Sequence, residues 1–320
     1  MARPSLLIVT PYTAQANNGN WRTAARWARF LRDQYRVIVQ TPSPPQQVAA
    51  ADLLIALHAR RSHAALAAWR ARFPQRPVVL VLTGTDLYRD LPGDAAAAES
   101  LRLADRLVVL QEQGLRALPR AARAKARVIY QSAAALAPAD KARDRLNCVM
   151  VGHLRQEKDP QTALRAWARL PAAAPITLTH LGAALDPALG AAARAFAQRE
   201  TRYRWLGPKP HGWARQLIRR AHLLLVPSLM EGGANVIVEA VTAGTAVLAS
   251  RASGNVGMLG PRYPGYFPLG DDGALARLLL RCAGDSAFLR RLDAGCRSRR
   301  PLFEPRRERA GLRSLLRELL

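Results

Sequence analysis

Residues 227–240 read Pro-Ser-Leu-Met-Glu-Gly-Gly-Ala-Asn-Val-Ile-Val-Glu-Ala and follow the apolar run His222–Val226. This pattern predicts a strand, a short loop containing Gly232, Gly233 and Ala234, and then a helix. Because glycine has no side chain, a ligand can approach the backbone closely just before the helix. The open N–H groups of the first helical turn and the helix dipole favour an anion at this point.

Two acids flank this predicted anion site. Glu231 precedes the glycines, and Glu239 lies about 9 Å further along the helix axis. Carboxylates on both sides of a phosphate site suit a ligand with hydroxyls at both ends, which is the layout of a nucleotide sugar. Glutamates at this spacing also occur as solvated charges on helix surfaces, so the interpretation depends on the strand–loop context and on a basic segment upstream.

That basic segment follows the first apolar strand in the second half of the chain. Arg155 and Lys158 emerge from the strand end three positions apart, and Gly152 allows a ligand to approach closely. A guanidinium supplies a forked pair of donors and an ammonium supplies a point charge, which together suit a diphosphate. The alternative interpretation is a surface salt-bridge cluster with Glu157 and Asp159.

Short apolar strands alternate with helical stretches along the chain, which predicts parallel sheets covered by helices on both faces. The predicted strands are Leu6–Thr10, Arg36–Gln40, Leu53–His58, Val78–Leu82, Leu107–Leu110, Arg127–Tyr130, Cys148–Val151, Thr177–Leu181, Arg204–Leu206, His222–Val226 and Ala246–Ser250. The charged segment Pro138–Arg145 lacks apolar periodicity and is predicted to be a linker. We predict an α/β protein with Rossmann-like domains at residues 1–143 and 144–304, and a basic helix at 305–320 that packs back on the first domain.

Ligands of such sheets bind beyond the carboxyl ends of the strands, so the residues after each strand are candidates. The first strand is followed by a loop with Asn17, Asn18, Gly19 and Asn20, which offers amides and a flexible glycine to an anion. It is not a G-x-G-x-x-G fingerprint, and no acid follows the second strand, so NAD is excluded. A turn with a helix N-cap is the alternative.

Two further strand ends in the first half carry polar residues. His58 stands beside Arg60 and Arg61 after the third strand, an arrangement that fits either a ligand contact or a structural histidine. Thr85 follows the fourth strand in an equivalent place, and Asp86 after it is a candidate cap.

The chain has 320 residues, and its formal net charge is +25. Nucleic acid, an anionic membrane or small polyanions are the partners that such a charge suggests. Only four of the 48 basic residues are lysines, so the charge reflects arginines dispersed over helix surfaces. No helix-turn-helix, zinc or RNA-binding signature accompanies it, and we therefore expect no nucleic-acid partner.

Cysteine usage and hydropathy give expectations about compartment. The three cysteines show no C-x-x-C spacing, which argues against a disulfide framework and a structural zinc site. No apolar run reaches 18 residues, so we expect no transmembrane segment. The apolar run at the start is too short for a secretory signal and fits a first strand, so we expect a cytoplasmic protein.

Two open α/β domains, an Arg-x-x-Lys after the second domain's first strand and a Glu-x7-Glu late in that domain resemble the GT-B glycosyltransferases of family 4. The resemblance implies retaining transfer from a UDP-sugar in a cleft between the domains, with no metal and no further cofactor required. By the same resemblance, Arg155 and Lys158 hold the donor diphosphate, Glu231 contacts sugar hydroxyls, and Glu239 binds the ribose.

The resemblance also assigns the remaining donor contacts. Gly232 and Gly233 let the phosphates sit on the helix start. His58 matches the first-domain histidine that touches the sugar near the reacting carbon. The loop with Gly19 and Asn20 matches the loop that closes on the diphosphate, although the family usually has paired glycines there.

Within that family, three stretches look like the selenosugar synthases of selenoneine biosynthesis. They are Thr10–Tyr12 with Asn17–Trp21, Thr83–Tyr88, and Pro210–Ala214. This resemblance implies transfer from a UDP-sugar, with UDP-N-acetylglucosamine as the first candidate, to selenophosphate. The acceptor residues expected on this basis are Asn18, Arg60, Arg61 and Thr85.

Two alternatives to this function remain open. One is a family 4 transferase with an ordinary hydroxyl acceptor. The other is a basic nucleic-acid or membrane-surface binder that retains an inactive transferase fold. Analysis of the reaction products distinguishes the first alternative from transfer to selenophosphate. Binding of nucleic acid or membranes that weakens steeply with salt, without turnover of a nucleotide sugar, would support the second.

Overall fold

The computed structural model describes residues 3–16, 18–41 and 47–320. The chain forms two compact units. Unit 1 contains the described residues up to Gln131 together with Pro305–Leu320, and unit 2 contains Ser132–Glu304.

The division lies at 131/132 and so differs from the predicted domain boundary at 143/144. The physical reason is a set of hydrogen bonds that ties residues 132–145 to unit 2. The Leu136 N–H donates to the carbonyl of Thr242 at 3.2 Å, and Lys141 Nζ donates to the carbonyl of Gly244 at 2.8 Å. The predicted linker is therefore an integral segment of unit 2.

Unit 1 is built on a parallel six-stranded sheet with the order β2-β1-β3-β4-β5-β6. Its strands are β1 Ser5–Val9, β2 Arg36–Gln40, β3 Leu53–Leu57, β4 Val78–Leu82, β5 Arg106–Val109 and β6 Ala126–Val128. Its helices are α1 Gly19–Leu31, α2 His63–Arg72, α3 Ala95–Leu103, α4 Gln113–Ala117, α5 Arg120–Arg123 and α13 Pro305–Arg317. The chain turns one way from β1 to β2 and the other way to β3, so the topological switch point lies between β1 and β3.

Alternation along the strands fills two cores, one on each face of this sheet. Leu6 and Leu7 are neighbours in β1, yet Leu6 packs in the cluster of Trp27 and Leu7 in that of Trp69. All four side chains are fully buried. Both faces are therefore closed to water, which leaves the carboxyl edge of the sheet as the place for polar chemistry.

Helix α13 completes the core on the Trp27 face with Leu312, Leu315 and Leu316. Its Glu308 is 1% exposed and accepts hydrogen bonds from Trp27 Nε1 at 2.7 Å and Arg26 Nε at 2.8 Å. A buried carboxylate with these donors is fully compensated, and α13 is thereby fixed against α1.

Unit 2 repeats the architecture with a parallel six-stranded sheet in the order β12-β11-β10-β7-β8-β9. Its strands are β7 Leu146–Val151, β8 Ile176–Leu181, β9 Tyr203–Trp205, β10 Leu223–Val226, β11 Ala246–Ser250 and β12 Tyr266–Phe267. Its helices are α6 Pro160–Ala168, α7 Pro187–Arg199, α8 His211–Arg220, α9 Asn235–Ala243, α10 Ser253–Leu259, α11 Asp272–Gly284 and α12 Ser286–Arg299. The switch point of this sheet lies between β7 and β10, which pair directly.

The predicted fold class, two parallel-sheet α/β domains, is confirmed. Within the described ranges, no helix combines the length and the apolar character that crossing a membrane would require.

Candidate active site

The carboxyl edge of the unit 2 sheet brings together two of the predicted donor residues at its switch point. Lys158 comes from the loop after β7, and Glu231 comes from the loop after β10. Lys158 Nζ lies 2.5 Å from Glu231 Oε1, and the two side chains are 23% and 9% exposed. An ammonium and a carboxylate 73 positions apart therefore form a largely buried ion pair at the position where open α/β sheets bind ligands.

The loop after β7 is shaped by local backbone features. A single 3-10 turn, Gln156–Lys158, ends at Asp159, which has left-handed backbone angles (φ 43°, ψ 56°). The Asp159 carboxylate caps α6 by accepting from the Thr162 N–H at 3.2 Å. The Leu229 N–H donates to the carbonyl of Glu157 at 2.9 Å. This bond links the two switch-point loops through their backbones.

Glu231 is held by a chain of buried hydroxyl and amide groups. Ser228 Oγ donates to Glu231 Oε1 at 2.7 Å, and the Ser228 carbonyl accepts from Ser250 Oγ at 2.5 Å. Asn255 Nδ2 donates to Ser250 Oγ at 3.1 Å. At Gly254 a Cβ atom would lie 1.7 Å from the Glu231 carbonyl oxygen, so only glycine fits there. Ser228, Ser250 and Asn255 were not predicted, because their proximity to Glu231 depends on the pairing of β10 with β11.

Gly152 faces the stem of Lys158 and is supported from behind by β8. A Cβ atom at Gly152 would lie 3.7 Å from the Lys158 side chain, whereas one at Gly182 would lie 1.8 Å from the Gly152 carbonyl oxygen. His180 Nε2 lies 3.3 Å from the same oxygen, and its Nδ1 lies 3.0 Å from the hydroxyl of Tyr203. Burial lowers the pKa of His180 to about 4. The neutral ring is thus part of the rigid wall behind the loop.

Arg155 lies in the same loop with its backbone extended. Its Nε is buried without a hydrogen-bond partner among the described residues, and it lies 3.9 Å from Glu157 Oε2. The side chain is 41% exposed. Arg155 and Lys158 therefore share one loop, and the Arg155 Nε makes no hydrogen bond to a described residue.

The glycine pair precedes a nine-residue helix. Gly232 and Gly233 are buried bends, Ala234 is the N-cap residue, and α9 starts at Asn235. Among the described residues, no side chain caps the start of this helix, so N–H groups of its first turn are open to water or a ligand. The predicted succession of strand, glycine loop and helix is present in the structure.

Glu239 lies in the middle of α9 and is 6% exposed. Its Oε1 lies 2.6 Å from Nε2 of His211, the first residue of α8, which is 45% exposed. His211 lies in the stretch Pro210–Ala214, and the sequence predicts no site role for it. Its contact shows that the start of α8 and the second glutamate belong to one cluster.

The carboxyl edge of the unit 1 sheet brings His58 and Thr85 together. His58 follows β3, is 2% exposed and has its Nε2 3.1 Å from Thr85 Oγ1. Arg60 and Arg61 are exposed on the same loop. Asp86 is fully buried, and its carboxylate accepts from the N–H groups of Thr83, Gly84 and Ala59. It therefore fixes the backbone that follows β3 and β4 and does not cap the turn that it begins.

Of the loop after β1, Asn17 lies outside the described residues. Asn18 is the N-cap of α1, and its Oδ1 accepts from the Trp21 N–H at 3.1 Å. Gly19 and Asn20 are the first residues of the helix, and the Gly19 carbonyl accepts from Thr23 Oγ1 at 2.8 Å. The turn with an N-cap, given as the alternative, is thus formed, and a ligand role for these residues stays a prediction.

Among the residues that the structure describes, no group of three or more histidine, cysteine, aspartate or glutamate side chains is arranged to hold a metal ion. The three cysteines are buried and free.

Comparisons with known proteins concern the fold and the segment 145–285. Residues 145–285 match the family model described as "Glycosyl transferases group 1". Among solved structures, HepE from Anabaena in complex with UDP-glucose is similar over 99% of this chain and 100% of its own, with 16% identity and a TM-score of 0.80. Sucrose-phosphate synthase from Thermosynechococcus elongatus is 18% identical over 99% of both chains, with a TM-score of 0.81.

A third similar structure is an α,α-trehalose-phosphate synthase (UDP-forming) from Burkholderia xenovorans in complex with glucose-6-phosphate. It is 13% identical over 98% of this chain and 99% of its own, with a TM-score of 0.72. No curated protein matched the chain by sequence. The chain has the GT-B fold, and its residues 145–285 match the group 1 glycosyl transferases.

Proposed function

We propose that this protein is a retaining glycosyltransferase that moves a sugar from a UDP-sugar to selenophosphate and forms a selenosugar. UDP-N-acetylglucosamine is the first candidate donor. The observation that carries the transferase part is the Lys158–Glu231 pair at the switch point, within the segment that matches the group 1 glycosyl transferases. Similar structures bound to UDP and to UDP-glucose support a UDP-sugar donor.

Unit 2 would bind the donor. Arg155 and Lys158 would hold the diphosphate. The loop after β7, with Gly152, and the loop after β10, with Gly232, Gly233 and Ala234, would let it approach the backbone. Positive charge and the start of α9 stabilise the negative charge that grows on the leaving diphosphate. Glu231 would contact hydroxyls of the sugar, and Glu239 would bind the ribose.

Unit 1 would bind the acceptor and contribute His58. Arg60 and Arg61 are exposed at the carboxyl edge of its sheet, and the half-buried Thr85 follows the neighbouring strand. Guanidinium groups match the oxyanions of a phosphate-type acceptor. Asn18, Gly19 and Asn20 follow β1, the neighbour of β3 at the switch point. Asn18 is proposed as a further acceptor contact, and Gly19 and Asn20 as contacts to the donor diphosphate.

The reaction would depend mainly on positioning. The sugar becomes oxocarbenium-like as the diphosphate leaves, and the acceptor attacks from the same face. A soft selenium nucleophile needs little help from a general base, so orientation and electrostatic stabilisation supply the acceleration.

A donor-by-acceptor screen read by mass spectrometry tests the proposal. The protein is incubated with UDP-sugars and either selenophosphate or alcohols, with EDTA present. Glu231→Gln should abolish most transfer. Glu200→Gln is the matched control. Glu200 also forms an ion pair, with Arg202 at 2.7 Å, but it precedes β9 and so lies at the amino edge of the sheet, away from the carboxyl edge that carries the site.

The outcomes separate the candidates. A selenosugar product supports the full proposal, and a glycosylated alcohol without selenosugar would replace selenophosphate by a hydroxyl acceptor. No transfer from any UDP-sugar, together with binding of nucleic acid or anionic vesicles that weakens steeply with salt, would support an inactive binder instead.

A further inference from the structure

His58 has an unusual backbone conformation. Its φ is 75°, in the left-handed region, and it shares a positive φ only with Asp159 among the non-glycine residues that the structure describes. Such a conformation costs free energy and persists where the surroundings hold it, typically at functional positions. Here it turns a buried ring towards the end of β4, where Thr85 lies.

The hydrogen bonds of the ring define its tautomer. The Arg61 N–H donates to His58 Nδ1 at 3.3 Å, so Nδ1 is an acceptor. In a neutral imidazole the proton then resides on Nε2. Nε2 lies 3.1 Å from Thr85 Oγ1, and the histidine is therefore the donor in this bond.

A buried carboxylate reinforces this arrangement. Asp90 Oδ2 lies 3.9 Å from His58 Nε2 and has no hydrogen-bond partner among the described residues, although Asp90 is only 6% exposed. Its position results from a single π-turn, Asp86–Asp90, whose closing bond runs from the Leu91 N–H to the Asp86 carbonyl. A negative charge on this side of the ring favours a proton on Nε2 over one on Nδ1.

The consequence concerns the hydroxyl proton of Thr85. Because Thr85 Oγ1 accepts from His58, its own O–H must point to another acceptor. The side chain makes no capping bond to the turn that follows it and is half-buried, whereas His58 is closed off from solvent. Of these two residues, Thr85 is therefore the one that a ligand can reach.

The charges around Thr85 identify the class of ligand. Arg60, Arg61 and Arg89 are all exposed at this edge. Arg60 pairs with Asp94 at 2.8 Å, whereas Arg61 stacks over Tyr12 at 5.0 Å. Guanidinium groups exposed at the same edge of the sheet as a hydroxyl donor favour a phosphate-type oxyanion as the ligand.

We propose that the Thr85 hydroxyl donates a hydrogen bond to an anionic, phosphate-type acceptor, and that His58 is a positioning residue acting through Thr85. The inference rests on the proposed function for the identity of the acceptor. It replaces direct contact of His58 with the sugar, which the family resemblance implied, by a role one residue removed from the substrate.

Matched substitutions separate the two roles. Thr85→Val removes the hydroxyl at nearly constant shape, and Thr85→Ser keeps it. His58→Asn retains an acceptor near the Nδ1 position and tolerates the left-handed backbone, but it loses the donor to Thr85. His58→Gln retains a donor near the Nε2 position. Circular dichroism shows whether each variant is folded. If a histidine variant does not fold, the comparison of Thr85→Val with Thr85→Ser still tests the proposal.

The readouts are binding of inorganic phosphate and thiophosphate by calorimetry, binding of UDP, and KM for selenophosphate. Thr85→Val should weaken phosphate binding and raise this KM about 10-fold or more, with Thr85→Ser within about 3-fold and UDP binding unchanged. His58→Asn should resemble Thr85→Val and add nothing to it in the double variant, while His58→Gln should retain most activity.

Equal phosphate binding in Thr85→Val and Thr85→Ser would overturn the inference, as would effects of Thr85→Val and His58→Asn that multiply. A wild-type protein that binds no phosphate would overturn it too. Phosphate binding is measured without a donor, so it does not depend on sugar transfer. If the wild-type protein transfers no sugar but binds phosphate, and Thr85→Val loses that binding, the phosphate site is supported and only the proposed transferase activity is rejected.

Discussion

Removing the charge of Lys158 should destabilise unit 2 through the carboxylate that remains. Lys158→Met keeps the length of the side chain but removes one of the two donors described above for Glu231. The Glu231 side chain is 9% exposed, and its remaining donor is Ser228 Oγ at 2.7 Å. Breaking a buried pair on one side costs about 3–5 kcal/mol. Since Lys158 is 23% exposed and water reaches it, we expect about 2–3 kcal/mol.

The double variant sharpens this prediction. Glu231→Gln alone should cost about 1–2 kcal/mol, because the amide still accepts from Ser228. Lys158→Met combined with Glu231→Gln removes both charges, so its cost should fall short of the sum by at least about 1 kcal/mol. Hydrogen exchange of peptides from β7 and β10 measures the opening free energy of unit 2, and peptides from β3 and β4 serve as the internal control.

Ligand binding gives a second measurement on the same variants. Lys158→Met should weaken UDP binding about 10-fold or more, because a charged contact to the diphosphate is lost. Glu231→Gln should leave UDP within about 3-fold and weaken the UDP-sugar instead. Additive stability effects within about 0.3 kcal/mol, or equal UDP affinity in both variants, would refute the reasoning.

Three further predictions concern neighbouring residues. Glu239→Ala should raise the Kd for UDP about 10-fold in calorimetry and change turnover little, because the ribose is remote from the reacting bond. Arg155→Ala should lower kcat as well, since charge on the diphosphate grows in the transition state; unchanged steady-state kinetics would contradict its assignment. Burial lowers the pKa of His180 to about 4, so the unfolded chain binds its proton first as pH falls from about 6.5 to 4, and stability drops by up to about 3 kcal/mol in that window. His180→Gln should show a smaller loss of thermal stability between pH 7 and pH 5.

The sheets were predictable because parallel strands buried on both faces are short and continuously apolar. Arg36–Gln40, Val78–Leu82 and Ala246–Ser250 have the predicted bounds. β12 was missed, because two residues, Tyr266–Phe267, carry no periodicity. Unit 2 starts at Ser132, before the predicted start at residue 144. Residues 132–145 are held by hydrogen bonds of the backbone and of Lys141, which a pattern of apolar residues does not reveal.

The candidate site was predictable only where its residues follow strands directly. Lys158 and Glu231 met this condition, and the rule for carboxyl ends places them at one edge. Their direct pairing requires β7 to lie beside β10, and strand order is a property of tertiary packing. His211 and Asp90 were missed for the same reason, since one begins a helix and the other ends a π-turn.

The return of α13 to unit 1 has a consequence for biosynthesis. Arg26 and Trp27 donate to the carboxylate of Glu308, which lies 282 and 281 positions downstream. Unit 1 is therefore incomplete while unit 2 is being translated. Unit 2 can fold as a continuous segment in the meantime, which shortens the effective loop that α13 must close. Until Leu312, Leu315 and Leu316 have been synthesised and packed, the Trp27 face of the unit 1 sheet is an exposed apolar surface on the nascent chain. Chaperones that recognise exposed apolar surfaces would be able to bind it.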